Sequence, residues 1–420
     1  MSLLRISLAS SMLVLVPSLV AAQHQVERRV AGDEVFAGER FELPDGADEV
    51  SIPFRKLNQH ILLPVTVNGQ GPFEVVLDTG MPIGGVILHG GERVEALDLT
   101  YLDGVQVQVG GAGGTGQAKP ARVATNLRLR IGELEMLDVR ATVLPPNPGF
   151  GVYFDGIIGA ALFRNFVVTL DNDRGVLTLR RPGTYRPPEG AVAVPLTLDH
   201  GMAFVEARVQ IGEAPAVPVK LVVDLGATHP VSLNEGEEPR IAAPEGSIKT
   251  TIGRGVSGEL TGRVGRIRSL EIGGIALSNV VATFPDEAHH SPRGMDSRNG
   301  NLGNGFLNRF NVTFDYAGER MFLAPGARAA EPFEWDMLGM QAEPTSDGTV
   351  RVRRVLPGSP AAEVGIEEND RVVRIAGEQV TGETYFSLRE RLRKDGETVS
   401  IELLRGDKPL SVSPKLRRLV

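Results

Sequence analysis

From about residue 49 onward the chain carries short stretches in which apolar and polar positions alternate, or in which apolar residues run together. "HILLPVTVNG" (60–69) and "FVEARVQIGE" (204–213) are examples, and such patterns bounded by turn residues predict strands. Two of the apolar runs end in the same way. "EVVLDTGMPI" (74–83) reaches Asp78 and turns at Gly80; "LVVDLGATHP" (221–230) reaches Asp224 and turns at Gly226. The repetition extends beyond these loops. "LRIGELEMLDVRATVL" (129–144) matches "LEIGGIALSNVVATFP" (270–285) at a separation of 141 residues, "DGIIGAALFRNFVVTLD" (155–171) matches "NGNLGNGFLNRFNVTFD" (299–315) at 144, and the two aspartates differ by 146. Three blocks that recur in one order at nearly one offset imply a duplication: one lobe over 49–189 and a second over 190–328.

A third unit, 333–420, has a different pattern. Tyr385, Leu388 and Leu392 share one face of a helical stretch at 384–394. "TVSIELLRGDKPLSVS" then reads as a hairpin turning at "RGDK", which accounts for the RGD triplet without invoking adhesion. Before the lobes, "MSLLRISLASSMLVLVPSLVAAQ" has one early cation, an apolar stretch from Ile6 to Val20 and small residues at Ala21 and Ala22. This predicts a signal peptide over 1–22, too short and too broken by serines and Pro17 for a stable membrane span. Residues 23–48 are polar, show no sustained period, and read as a linker or pro-segment.

Composition narrows the classes. Among 420 residues 42% are hydrophobic, which excludes wholesale disorder, and 50 Gly with 28 Pro suit many short strands joined by turns. A net charge of -8 argues against a general nucleic-acid binder. There is no cysteine, hence no disulfide framework and no lipid-bearing cysteine after the signal.

Two carboxylates at equivalent points of a duplicated lobe are the strongest chemical signal. If the lobes pack about a pseudo-two-fold axis, the two D-x-G loops meet on it. Like charges a few ångström apart do not both ionise, so the pair shares a proton and offers one acid and one base astride a water. Amide hydrolysis needs no more than this, so no cofactor or metal is expected. Gly80 and Gly226 allow the close approach of the loops.

"VVLDTG" with "DGIIG" downstream resembles the aspartic peptidases, and the short lobes look retropepsin-like. The resemblance implies a mainly β fold with two duplicated lobes about a pseudo-two-fold axis. It implies catalytic roles for Asp78 and Asp224, loop bracing by Thr79, Gly80 and Gly226, and supporting segments at Ile157, Ile158 and Gly159 and, less closely matched, at Asn301, Leu302 and Gly303. It also implies a flap at Gly110, Gly111, Gly113, Gly114 and Gly116, with "IGRGVSGEL" (252–260) in the second flap position. Leu225 lacks the hydroxyl that this family carries after the aspartate, so half of the cross-bracing is expected to be missing. Met81 and Pro82 are further departures. "SPAAEVGIEENDRVVRIAGEQV" resembles a PDZ domain, a small α+β fold, with Ile366, Asp370 and Gly377 on matching positions. The resemblance implies that Leu338, Gly339 and Met340 form its carboxylate-binding loop, and that a peptide C-terminus or extended strand adds beside the helix near 384–394.

The expected function is therefore an exported aspartic endopeptidase acting on polypeptides, periplasmic or secreted from a bacterium, with both lobes in one chain so that no dimer is needed. A catalytically inactive peptide-binding protein is the alternative. A metal-dependent hydrolase built on His289 and His290 in "DEAHH" is a third reading, although that spacing fits no zinc motif. "GAGGTG" (111–116) fits G-x-G-x-x-G, but Pro120 stands where a phosphate-binding helix would run. "GVSGE" lacks the last glycine of a nucleophile elbow. His229, five residues after Asp224, either caps a turn or tunes the site.

Overall fold

The computed structural model describes residues 38–112, 119–146, 153–236, 238–290 and 298–420. The expected signal segment, residues 23–37, and Gly113, Gly114 and Gly116 of the expected flap lie outside the described residues.

Each lobe is built on one twisted sheet with the same inner arrangement. In the first, Gln70–Leu77 lies parallel to the short strand Gly156–Ile158, which runs antiparallel to Val86–His89, which in turn runs parallel to Leu134–Leu144. In the second, Val217–Asp224, Gly300–Gly303, Val231–Leu233 and Ile275–Pro285 repeat that order and those directions. Burial follows the expected pattern. Gln70–Leu77 begins with three exposed positions and Val217–Asp224 alternates at first, and both become continuously buried over their last three or four residues. The strands thus run from the sheet rim into the interior and deliver their aspartates there.

A third sheet joins the lobes, in the order Val192–Pro195, Arg320–Pro325, Phe310–Asp315, Val167–Asp171, Val176–Arg180, Glu49–Pro53. At its centre Val168 pairs with Phe314, Thr169 with Thr313, and Leu170 with Val312. These pairs exchange under the 144-residue offset, so the pseudo-two-fold axis passes through the Thr169–Thr313 pair, whose hydroxyls are 3.0 Å apart. Phe163 packs edge-on against Phe314 at 5.3 Å, and the apolar interior runs continuously from one lobe into the other. The mainly β, duplicated architecture is as the sequence implies. One segment departs from its reading: within the 23–48 stretch, Arg40–Glu42 pairs with Leu134–Leu144 and Phe41 packs on Phe166 at 5.4 Å. Three residues are too few for a period of two to register.

The C-terminal unit has its own core, including Leu338, Val352, Ile375 and Tyr385. Its sheet runs Met340–Pro344, Val350–Val355, Arg371–Ile375, Ile401–Arg405, Lys408–Val412. Thr384–Leu388 is helical and continues as a 3-10 turn through Arg393, with Tyr385, Leu388 and Leu392 all buried. The expected hairpin is present, with Arg405 opposite Lys408.

Candidate active site

The two loops carry their carboxylates in the same way. Gly80 donates its N–H to Asp78 Oδ1 at 2.7 Å, and Gly226 donates to Asp224 Oδ1 at 2.9 Å. The supporting strands pass alongside, with Ile158 next to Leu77 and Gly303 next to Asp224. Glycine is required there because a Cβ on Gly159 would lie 2.2 Å from the Asp78 carbonyl oxygen. A Cβ on Gly226 would lie 2.5 Å from the Asp78 carboxyl, which places the first aspartate directly against the second loop. Asp78 and Asp224, 146 residues apart in sequence, are hydrogen-bonded to each other and almost fully buried, at 7% and 1% exposure. Burial first, and then the charge of Asp224, push the Asp78 carboxyl well above the usual carboxylate range, with the Gly80 N–H opposing.

The cross-bracing is one-sided. Thr79 Oγ donates to the Val223 carbonyl at 2.7 Å and accepts from the Leu225 N–H at 2.9 Å. One hydroxyl therefore ties both sides of the second loop to the first. Leu225 contributes no hydroxyl and instead buries its side chain in the core shared by the lobes. The Asn304 amide donates to the Leu225 carbonyl, a support the sequence did not announce. Met81 is buried against the same cleft and its carbonyl accepts from the Ala160 N–H at 3.1 Å.

Two imidazoles flank the pair. His60 Nε2 lies 3.0 Å from the Gly226 carbonyl oxygen; a carbonyl only accepts, so Nε2 carries the proton. Burial lowers the His60 pKa. Burial also lowers that of His229, to about 4, against the opposing charge of Asp224. Both rings are thus neutral near pH 7. His60 went unnoticed in the sequence because its contact spans 166 residues.

The aspartates open into a cavity of about 540 Å³. Its first-lobe side is apolar, with Leu62, Val76, Met81, Ile87 and Ile157; its second-lobe side is polar, with Thr228, Ser232, Asn234 and Asn301. Two hairpins cover it. One includes Gly110, Gly111 and Ala112, the other turns at Gly255–Gly258, and the two touch: the Gly111 N–H donates to Ser257 Oγ at 3.1 Å and the Ser257 N–H to the Ala112 carbonyl at 3.2 Å. The C-terminal unit closes one end, contributing Glu343, Arg353 and Phe386. It is held to the first lobe by Phe386 against Tyr153 at 4.8 Å and by Arg55 with Glu383 at 3.1 Å. It is held to the second by Gln341, which bonds Thr250 and Thr251, each at 2.9 Å.

In that unit Leu338 and Gly339 lead into the edge strand at Met340, with the Leu338 carbonyl accepting from the Ala361 N–H and the Gly339 carbonyl from the Leu356 N–H, each at 2.9 Å. Gly339, at φ +77°, leaves no room for a side chain, since a Cβ would lie 2.3 Å from Ser359. Its N–H donates to the unit's own Asp336 carboxylate at 2.5 Å. The Ala342 N–H on the edge strand reaches the Tyr385 hydroxyl at 3.3 Å. The imidazoles of "DEAHH" do not converge: His289 Nε2 accepts from the Thr261 N–H at 3.1 Å, while His290 Nε2 faces the Pro285 carbonyl at 3.0 Å. Among the described residues no group of three or more His, Asp or Glu forms a metal-binding cluster, and no helix is long and apolar enough to cross a membrane.

A family model described as "Aspartyl protease" matches residues 63–162 and again 205–306, and one described as "PDZ domain" matches 337–416. Among curated proteins the chain is similar to "Serine protease HTRA1" of Xenopus tropicalis, 34% identical over 74 residues, and to that of Xenopus laevis, 36% identical over 74 residues. Each match covers 17% of this chain and 16% of the relative's length. Among solved structures it is similar to the aspartic proteinase from Irpex lacteus, with a TM-score of 0.43 and 14% identity over 67% of this chain and 99% of that one.

Proposed function

Because the chain belongs to the aspartyl protease family through both lobes and ends in a PDZ domain, we propose that it is an endopeptidase whose two aspartates activate one water. The observation that carries this reading is the contact of Asp78 with Asp224 across the axis, both loops tied by Thr79 beneath two hairpins that touch at Gly111 and Ser257. With its pKa raised, Asp78 keeps the shared proton and Asp224 is the carboxylate. Asp224 takes a proton from water as the water oxygen bonds to the scissile carbonyl carbon; Asp78 gives its proton to the carbonyl oxygen. The resulting tetrahedral diol collapses with C–N cleavage, a diol proton passing back to Asp78 and the Asp224 proton to the leaving nitrogen. The burial of both carboxylates beneath the hairpins strengthens these charge interactions. Its apolar first-lobe side supports a preference for large apolar side chains next to the scissile bond.

Export through the N-terminal signal, to a bacterial periplasm or outside, is part of the proposal, as is recruitment of protein termini or extended segments by the PDZ unit at the edge of Met340–Pro344. There the Asp336 carboxylate must yield the Gly339 N–H to an incoming one. Cleavage of a peptide library by the wild type, by Asp78→Asn and by Asp224→Asn tests the core reading. Cleavage is expected from the wild type at acid to neutral pH and from neither variant. A wild type that cleaves nothing across that range leaves a peptide-binding protein; activity retained by Asp224→Asn removes the second lobe from the chemistry.

A further inference from the structure

The two carboxylates stand in equivalent loops but not among equivalent donors. Each Oδ1 accepts from the glycine two residues on. The second oxygens differ: Asp224 Oδ2 accepts from Asn301 Nδ2 at 2.7 Å, whereas Ile157, 144 residues earlier and at the matching point of the first lobe, offers no donor. The registers make this equivalence strict, since Ile157 pairs with Val76 and Asn301 with Val222, each two residues before the aspartate. Both side chains line the cavity. A polar residue in a slot that its twin fills with isoleucine was the signal visible in the sequence; its aim was not.

We propose that Asn301 is the positioning residue that decides which half of the dyad is the base, its amide holding Asp224 as the carboxylate and leaving the shared proton on Asp78. An amide N–H aimed at Oδ2 favours a lone pair there and disfavours a proton, and it fixes the plane of the carboxylate. At Asp78 the donors are the backbone N–H groups of Gly80 and Gly226, and the equivalent supporting position, Ile157, supplies no side-chain amide. Its carboxyl is pushed upward by burial and by its neighbour's charge. The assignment of acid and base is then built into the duplicated lobes by one divergent residue.

The inference rests on the dyad being the peptidase site, so its test has a readout that does not need cleavage. Carboxyl 13C NMR titration of aspartate-labelled protein follows both groups directly, and the pH profile of kcat/KM on a cleaved peptide is recorded beside it. In Asn301→Ile, which installs the residue the first lobe already accommodates, the Asp224 titration is expected to move up by about one pH unit or more, the loss of a hydrogen bond to a charged acceptor. The acid limb of kcat/KM moves with it. Asn301→Gln, which keeps the amide, is expected to restore both towards wild type. Should the isoleucine variant not fold, Asn301→Asp keeps the shape while adding a third carboxylate, and must move the same limb upward. A folded isoleucine or aspartate variant with unmoved titrations overturns the proposal. So does a uniform loss of rate with the limb in place. Absence of wild-type cleavage would remove the peptidase reading, while the NMR titration would still decide the proton assignment.

Discussion

Replacing Thr79 by valine removes one oxygen and very little volume, yet it acts at the point where the lobes are tied. The hydroxyl donates to Val223 and accepts from Leu225, and both of those residues are fully buried. With the oxygen gone, a buried C=O and a buried N–H lose their partner, each at about 1–3 kcal/mol. The sum is about 2–6 kcal/mol, concentrated in the second loop. No reciprocal hydroxyl shares the work, because Leu225 stands where the duplication would place one. Global unfolding of a chain with separate cores is not a two-state measurement, so the reading is taken locally. Hydrogen exchange at the Leu225 amide is expected to accelerate by a factor of thirty or more, at about 1.4 kcal/mol per tenfold. Peptide cleavage is expected to fall at least tenfold, while Thr79→Ser keeps both near wild type. Unchanged exchange at Leu225 in a folded Thr79→Val protein would refute the one-sided brace.

Two further outcomes follow from the same geometry. Gly159→Ala places a Cβ at 2.2 Å from the Asp78 carbonyl and 2.7 Å from that of Met81; since both neighbours are backbone, the variant is expected to lose the folded first lobe, read by near-UV circular dichroism, and a native spectrum with full activity would contradict the packing. His229 makes stability pH-dependent. Burial, opposed by the charge of Asp224, holds its folded pKa at about 4, whereas the unfolded chain takes up that proton near 6.5. Between these values the unfolded state binds more protons, so stability falls as pH drops from 6.5 towards 4, by up to about 3 kcal/mol, and the residue contributes no slope above that window. His229→Asn is expected to flatten this pH dependence, read as hydrogen-exchange protection of the amides around Asp224; parallel losses in variant and wild type would mean that the imidazole is not held neutral.

The sequence by itself determined the duplicated plan. Period-two runs specify strands through local chemistry. The near-constant offset of 141 to 146 residues between matched blocks makes Asp78 and Asp224 equivalent before any coordinates exist. It also determined the C-terminal hairpin and the buried face of the 384–394 helix, since both are properties of adjacent residues. What it could not carry was the consequence of bringing distant residues together. Leu225 read as a lost half of the bracing; only the packed loops showed Thr79 bonding both Val223 and Leu225 from the opposite lobe. Asn301 read as a weak match, and its amide acquired a partner only when Gly300–Gly303 was laid beside Val217–Asp224. His60, Arg353 and Phe386 gave no local signal, because a side chain that faces a cleft from another element has no period of its own. Propensity and alternation act over a few residues; tertiary packing decided which donor faces which carboxylate, and that arrangement sets the chemistry.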